Sequence, residues 1–453
     1  MRIKLLSSSI ALAMAMSVTP AHAQDCRSAL VDARGTCADA ADRGQCLRER
    51  LPEACRHLAA GESADATTLS RITVLGTGYA LDVSKYPGSA SVVLPEELDF
   101  STDIIKSLER VPGFDSGNDV GRALGQSFSI RGWGHGSESR TILMLDGVRR
   151  SANLFANQSS SFGMDSDLIK QVEVIRGSSS IHHGGGAIGG VVNAVTRDAS
   201  DFILPGSDVG GTFKIRYDSN NAREGYAAFG LAPRDGRFEF LAFLKRHDKG
   251  DIKLPEDVPN GNGTFRRHND NDEQIDTQFF KAGWHIADGH KLSLSHFRYS
   301  MNVESLWNSL YHYEYSPTLG PVVGERRQAD TVLRYVAAPD GNPWLNLAAT
   351  AYRSEGWYER GYKFGAELGT DLYYRNLDER HGFTVQNLMR FGTGAVNHRL
   401  LVGADYEVRK EDGVYVLNGV TTDFQSMPNE YNDLGLFVQH ESGWFGDRLL
   451  VQL

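Results

Sequence analysis

The chain has 453 residues, a formal net charge of −10 and a mean hydropathy of −0.35. This acidic balance argues against nucleic acid as a partner, because a nucleic-acid-binding surface needs an excess of lysine and arginine. After the first 24 residues, no uncharged stretch approaches the roughly 20 residues that a spanning helix needs. Any membrane role of the mature chain must therefore come from strands.

The chain begins with the pattern of an export signal. Arg2 and Lys4 precede an apolar run from Leu5 to Val18, and residues 21–23 (Ala-His-Ala) form a small-x-small cleavage site. The apolar run is too short for a spanning helix. We therefore expect residues 1–23 to be a signal peptide that is removed on export.

All four cysteines follow this signal, at Cys26, Cys37, Cys46 and Cys55. An exported chain enters an oxidising compartment, where an even number of cysteines usually forms disulfides. Helix-forming residues separate the cysteines, so residues 24–69 are predicted to be a small helical module stapled by two bridges. Nested bridges suit the spacing, but the other two pairings stay open. A zinc site also stays open, although the lack of a Cys-x-x-Cys pair disfavours it.

The next segment, residues 70–205, mixes short β-like runs with one helical stretch. Ile104, Ile105, Leu108 and Val111 have the spacing of one helix face, and a Pro-Gly pair follows them. Strand-like runs are predicted at residues 91–94, 128–131, 141–146, 172–176 and 191–196. The segment is therefore predicted to be a compact α+β domain.

From about residue 206 the sequence changes to alternating segments. In one of them Phe238, Phe240 and Leu244 share a face, while Glu239 and Lys245 lie on the opposite face. Ten complete strands and the start of an eleventh are predicted, joined alternately by tight turns and long loops. The long loops cover about residues 248–276, 301–329, 356–379 and 410–429.

These connections decide between two kinds of sheet. A soluble sandwich also has one apolar and one polar face, but nothing requires it to place every long loop at one end. Transmembrane barrels do have short turns at one end and long loops at the other, and alternation hides their apolar face from hydropathy averages. Residues 206–453 are therefore predicted to be part of an antiparallel transmembrane β-barrel.

Seven short motifs between residues 71 and 202 resemble those of TonB-dependent outer-membrane receptors, in the family's order. They lie at residues 72–75 (ITVL), 87–93 (PGSASVV), 108–113 (LERVPG), 129–132 (SIRG), 145–149 (LDGVR), 172–177 (VEVIRG) and 184–193 (GGGAIGGVVN). The resemblance implies an α+β plug domain followed by a barrel of the class with about 22 strands. About ten or eleven strands would lie in this chain, so we expect a fragment of a longer protein or the product of a truncated gene.

The resemblance also implies partners and a location. Ile72, Thr73, Val74 and Leu75 are similar to the TonB box, which pairs with TonB by strand addition and is powered through ExbB and ExbD. The protein would then lie in the cell outer membrane, in contact with its lipid, with the amino terminus in the periplasm and the plug in the barrel lumen. Arg131 and Arg176, together with Glu173, are expected to connect the plug with the barrel.

Within the family, residues 167–177 and 187–201 are most similar to haem and haemoglobin receptors. Many of these receptors carry a histidine in the apical loop of the plug, which here, at residues 151–165, has neither histidine nor tyrosine. Other candidates for haem iron are present, although a solvated or structural role is the simpler interpretation for each. They are His135, His182 and His183 in the plug, and Tyr311, His312 and Tyr313 in a long loop.

The leading hypothesis is therefore an energy-coupled receptor for an iron source, with haem or haemoprotein-derived haem as the transported ligand and not as a cofactor. A second hypothesis replaces haem with a ferric siderophore or another metal chelate. A third is a surface-binding protein that transports nothing. No Ser/His/Asp or Cys/His arrangement stands out by motif spacing, so no enzymatic activity is expected.

Overall fold

The computed structural model describes most of the chain after residue 72. The described ranges are 73–74, 81–82, 88–98, 104–117, 127–133, 137–150, 162–178, 187–218, 221–259, 265–269, 271–305, 307–308, 314–315, 322–363, 371–422 and 429–452. All of them belong to one compact unit that starts at Thr73. The predicted signal peptide and the predicted cysteine module lie outside these ranges.

The part of this unit that ends at Phe202 is an α+β domain, called the plug below. Its strands are β1 (Thr73–Val74), β2 (Leu81–Asp82), β3 (Ser89–Val93), β4 (Phe114–Gly117), β5 (Ser127–Ile130), β6 (Thr141–Leu145), β7 (Val148–Arg149), β8 (Ile169–Arg176) and β9 (Gly190–Thr196). Its helices are α1 (Pro95–Leu98) and α2 (Ile104–Leu108), and 3-10 turns cover Glu138–Arg140 and Ala199–Phe202. Among the described residues, no helix is long and apolar enough to cross a membrane.

Five plug strands form one sheet in the order β3-β8-β9-β6-β7, in which β6 and β9 run parallel. The central strands are buried on both faces, as their continuous apolar sequences require. The predicted helix face is confirmed, because Ile104, Ile105, Leu108 and Val111 are all buried in the plug core. The predicted strands correspond to β3, β5, β6, β8 and β9.

The second part is a large antiparallel sheet, called the wall below. The strands of this part are β10 (Val209–Tyr217), β11 (Arg223–Leu231), β12 (Phe238–Lys249), β13 (Ile252–Pro259), β14 (Phe265–Asn269), β15 (Asn271–Ala287), β16 (His290–Ser305), β17 (Trp307–Asn308), β18 (Glu314–Tyr315), β19 (Val322–Ala337), β20 (Leu347–Lys363), β21 (Asp371–Thr393), β22 (Val396–Leu417), β23 (Val420–Thr422), β24 (Asn429–Trp444) and β25 (Leu449–Gln452). Hairpins β13-β14 and β17-β18 stand apart from the wall.

The wall runs in simple chain order, β10-β11-β12-β15-β16-β19-β20-β21-β22-β24-β25, and each strand pairs with the next. The sheet has twelve strands, of which β23 lies off this path, so eleven form the wall proper. The last, β25, has four residues. This confirms the predicted fold class, including ten long strands and the start of an eleventh. In the described residues the sheet is open and does not close into a barrel.

Tight turns join the strands at one end of the wall, called the turn end, and long connections join them at the other, called the loop end. The long connections are shorter than predicted, because β20 continues to Lys363 and β22 to Leu417. The loop ends of these strands contain charged residues and glycines, which resemble loop composition. Main-chain pairing does not depend on side-chain hydropathy, so the strands continue through them.

The two faces of the wall differ as the alternation predicts. Phe238 is 55% exposed on the face that points away from the plug, whereas Lys245 is 5% exposed on the face that points toward it. Large apolar side chains recur on the outward face of successive strands, the pattern of a surface that contacts lipid. They include Phe213, Phe229, Phe280, Leu294, Leu333, Phe383, Leu434, Leu436 and Val438.

Candidate functional site

The interface between plug and wall contains a buried group of charges around Lys245 of β12. The Lys245 Nζ lies 3.1 Å from Asp165 and 2.5 Å from Asp167 of the plug, and 3.1 Å from Glu224 of β11. Its side chain is 2% exposed. Lys214 of β10 approaches the same Asp167 at 2.6 Å. One buried ammonium therefore joins two plug carboxylates to one carboxylate of the wall.

The local sequence of the plug sets up these two carboxylates. The backbone N–H of Asp167 donates to the Asp165 side chain at 2.9 Å, an aspartate turn that leads directly into β8. Burial raises the pKa of Asp165, which makes this carboxyl the easier of the two to protonate. Burial also acts to raise the pKa of Asp167, but Lys245 and Lys214 outweigh it and lower this pKa.

A second contact joins the plug to the middle of the wall. Arg150, which follows β7, donates from Nε to the Asp330 carboxylate of β19 at 2.9 Å, and both side chains are almost fully buried. The guanidinium also donates to the Gly163 carbonyl at 3.1 Å and lies 5.0 Å over the Phe297 ring. Asp330 additionally accepts a bond from the Ser354 hydroxyl at 2.7 Å. The buried guanidinium of the plug and the buried carboxylate of the wall are thus each other's ionic partners.

The turn between β6 and β7 explains why Arg149 and Arg150 are held in place. Asp146 has a φ of 51°, and its carboxylate accepts from the Thr196 backbone N–H at 2.8 Å and from the Thr196 hydroxyl at 2.7 Å. The next N–H, of Gly147, donates to the Asn193 side chain at 3.0 Å. The Leu-Asp-Gly-Val-Arg motif is therefore a turn tied to β9, and this turn presents Arg149 and the following Arg150 to the wall.

A third contact lies near the end of the plug. Asp198, which precedes the 3-10 turn Ala199–Phe202, is 2.7 Å from Lys281 of β15 and 3.7 Å from Lys170 of the plug. Burial acts to raise the pKa of Asp198, but Lys281 and then Lys170 lower it below its ordinary value of 3.8. The ionised form of this carboxyl therefore stabilises the seated plug.

This shift predicts an acid-dependent loss of plug stability. A carboxyl whose pKa is lowered by folding stabilises fully above its unfolded value, and the stabilisation is lost as the pH falls through the lower, folded value. We expect protease resistance of the plug to fall below about pH 4. Asp198→Asn should flatten this part of the profile, while Asp340→Asn, at an exposed turn, should leave it unchanged. Identical pH profiles for Asp198→Asn and the parent would contradict the assignment.

The plug charges singled out from sequence have described contacts within the plug. Arg176 donates to the Ser91 hydroxyl at 2.9 Å and to the Pro112 carbonyl, and burial, then Arg131, lowers its pKa. Glu173 is fully buried and accepts from Gln171 at 2.7 Å and from Asn193 at 3.0 Å. Arg131, with a φ of 53°, bonds through its backbone N–H to the Gly113 carbonyl at 2.6 Å. Their role between plug and barrel stays a prediction.

The other predicted site residues are described in part or lie outside the described residues. Thr73 and Val74 of the predicted TonB box form β1, which pairs with Leu81–Asp82, whereas Ile72 and Leu75 are outside. The candidate haem ligands are also outside, so they stay predictions: His135, His182, His183, Tyr311, His312 and Tyr313. The same holds for the predicted disulfides at Cys26, Cys37, Cys46 and Cys55.

Sequence reasoning missed the residues that carry the interface. Asp165, Asp167, Asp198 and Arg150 are isolated charges without a periodic signature, and Arg149 ends the LDGVR motif, which gives no sign of its partner in the wall. One usable signal was present at Lys245, a charge in mid-strand on the face opposite an apolar one. Such a residue must face a polar lumen or a buried partner.

An α+β plug seated against the polar face of an antiparallel sheet, whose other face is apolar, defines the architecture of a plugged β-barrel. Residues 82–191 match the TonB-dependent receptor plug domain family. The chain is therefore similar to TonB-dependent receptors, which are transport receptors of the outer membrane and not enzymes.

Individual receptors of known cargo are also similar to this chain. The hemin receptor of Yersinia pestis is 28% identical over 354 residues, which cover 76% of this chain and 46% of that protein. The hemophore receptor of Serratia marcescens, solved with its hemophore and heme, superposes with a TM-score of 0.62 at 19% identity, over 82% of this chain and 51% of that one. The ferric yersiniabactin uptake receptor of Yersinia pestis gives a TM-score of 0.51 at 15% identity, over 80% and 63%. The chain spans about half the length of the curated relatives it matches.

Proposed function

We propose that this chain provides the plug and leading barrel strands of an energy-coupled receptor that takes up haem across the outer membrane. The observation that carries the proposal is the continuity of the resemblance to the hemin receptor of Yersinia pestis. It extends over 354 residues and 76% of this chain, so it includes much of the wall as well as the plug. The relative supplies the substrate class, and the chain's own geometry supports a plug that can move.

A movable plug needs an interface that is firm but reversible. The partly exposed ion pairs, such as Lys281–Asp198, meet this need, because separated ions in a wet lumen regain water as a partner. In the proposed orientation the turn end faces the periplasm and the loop end faces outward. TonB, powered through ExbB and ExbD, then pairs with the segment around β1 by strand addition. The two-stranded β1-β2 sheet leaves a second edge of β1 to receive it in the described residues.

Two alternatives keep part of this proposal. A ferric siderophore could replace haem, since the yersiniabactin receptor shares the fold, although fold likeness alone says nothing about cargo. A surface-binding protein without transport would keep the barrel and need no TonB contact. The substrate and the energy coupling are therefore tested together.

The test uses the full gene product in a haem-requiring host, with haem or haemoglobin as the only iron source. We expect growth with the parent, complete loss of growth after deletion of residues 72–75, and normal growth after a control deletion of residues 60–63. Growth on a ferric siderophore but not on haem would change the substrate. Haem binding at the cell surface without TonB-box-dependent growth would favour the surface-binding alternative.

A further inference from the structure

The plug contacts the wall in different ways on two sides. Toward β10, β11, β12, β15 and β16, called the anchor side, a continuous apolar contact accompanies the ion pairs of Lys245, Lys214 and Lys281. Plug residues share one core with inward-facing side chains that include Leu241, Phe243, Phe279, Phe297 and Met301. Among the described residues, β19 to β24, called the latch side, add only the partly buried Tyr374 to this core.

Main chain also meets main chain on the anchor side. A Cβ atom at Gly210 would lie 2.2 Å from the Phe202 carbonyl oxygen, and one at Gly230 would lie 2.5 Å from the Ala199 carbonyl oxygen. The 3-10 turn at the end of the plug therefore rests directly on β10 and β11. Separation of the plug from the anchor side would expose this apolar surface to water, which is unfavourable because no new contact replaces the one that is lost.

On the latch side the described contacts are polar. Arg149 lies 3.9 Å from Glu407 of β22, and Arg334 of β19 donates to the Asp146 carbonyl at 3.5 Å. The buried Arg150–Asp330 pair is the firmest of these contacts, and β19 places it closest to the anchor side. Within the part of the chain that the structure describes, the plug is therefore held most weakly where it meets β22.

Glu407 keeps its other partners when Arg149 moves away. Its carboxylate accepts from the Tyr352 hydroxyl of β20 at 2.7 Å and from Arg380 of β21 at 3.2 Å. Tyr352, Gly382 and Glu407 are successive register partners on β20, β21 and β22. A Cβ at Gly382 would lie 2.9 Å from the Tyr352 hydroxyl, so the missing side chain allows the tyrosine to reach across β21.

We propose that the plug parts from the wall first along β21 and β22, with Glu407 as the latch on Arg149, while the anchor side stays in contact. The inference rests on the proposed transport function and names the side on which the path for the cargo opens. The wall satisfies the Glu407 carboxylate in both positions of the plug, and the side chain of Arg149, 22% exposed, regains water. Among the described residues, opening along β21 and β22 thus leaves neither Glu407 nor Arg149 as a buried charge without a partner.

The test measures leakage through the full gene product in cells that lack TonB, using a hydrophilic antibiotic too large for general porins. Arg149→Glu places two carboxylates against each other, and we expect about tenfold greater susceptibility. Adding Glu407→Gln removes that repulsion and should reverse most of the increase in susceptibility. Lys214→Glu creates the same kind of repulsion, against Asp167, on the anchor side. It should change susceptibility by no more than about twofold, because the apolar core holds the plug there.

Receptor abundance in the outer membrane and protease resistance of the plug show whether each variant folds. Equal leakage from Arg149→Glu and Lys214→Glu, or no leakage from a folded Arg149→Glu, would overturn the proposal. The readout does not depend on haem. A failure of haem-dependent growth with this leakage pattern intact would therefore reject the uptake assignment and leave the latch in place.

Discussion

Replacing Lys245 with methionine is expected to destabilise the seated plug by about 3–5 kcal/mol. Methionine keeps the length of the side chain and removes the ammonium that lies within 3.1 Å of Asp165, Asp167 and Glu224. Three carboxylates would then share a buried site, with Lys214 as the remaining nearby partner of Asp167. The measurement is denaturant-dependent loss of the plug in detergent-solubilised protein, followed by pulse proteolysis.

Lys214→Met is the matched control for this prediction. Its ammonium also binds Asp167, at 2.6 Å, but the side chain is 29% exposed and touches one carboxylate. A partly solvated pair contributes about 1 kcal/mol or less, so the control should lose little stability. Equal losses for the two variants would show that burial around Lys245 does not decide the strength of the interface.

A second substitution tests the cause of the loss. Burial raises the pKa of Asp165, so its charge is the one that folding tolerates least. Adding Asp165→Asn to Lys245→Met should therefore recover about 1 kcal/mol, whereas Asp165→Asn alone should change the stability less, because Lys245 still balances the carboxylates. A larger gain in the Lys245→Met background than in the parent distinguishes electrostatic repulsion from a general loss of packing.

Local patterns predicted the fold well. The alternation at Phe238, Phe240 and Leu244 depends on neighbouring residues alone, and it correctly placed these side chains outward and Lys245 inward. The α2 face and the plug strands were predicted in the same way. The loop-end extensions of β20 and β22 were missed because their charges resemble loop composition, while main-chain bonds hold them in the sheet.

The interface was not predictable to the same degree because its partners are far apart in sequence. Lys245 and Asp165 are separated by 80 residues, and Arg150 and Asp330 by 180. A sequence shows that an inward-facing charge needs a partner but not which residue supplies it. Arg176 stood out because it ends a recognisable motif, yet its described bonds, to Ser91 and Pro112, lie inside the plug.

Gly190→Ala is expected to destabilise the plug by about 3–5 kcal/mol through its central sheet. Gly190 has a φ of 145°, a backbone angle that L-residues with a side chain rarely adopt, and a Cβ there would lie 2.1 Å from the Ile175 carbonyl oxygen. That oxygen belongs to the main chain of β8, so it cannot rotate away. Gly190 also pairs with Thr141 of β6, the strand that leads to Arg149 and Arg150. Relaxing the overlap would therefore disturb the arginines that face the wall.

Gly147→Ala is the control that separates the steric overlap from the conformational strain as causes of this destabilisation. Gly147 has a φ of 80°, but a Cβ there would meet nothing within 4 Å. Its substitution should therefore carry only the conformational cost of a left-handed residue, about 1–2 kcal/mol. Denaturant unfolding with pulse proteolysis gives both values under one condition. If Gly190→Ala costs no more than Gly147→Ala, the sheet has absorbed the overlap by separating β8 from β9. A Gly190→Ala loss larger by about 2 kcal/mol would show that the two strands stay in register and that steric exclusion makes glycine necessary in this motif.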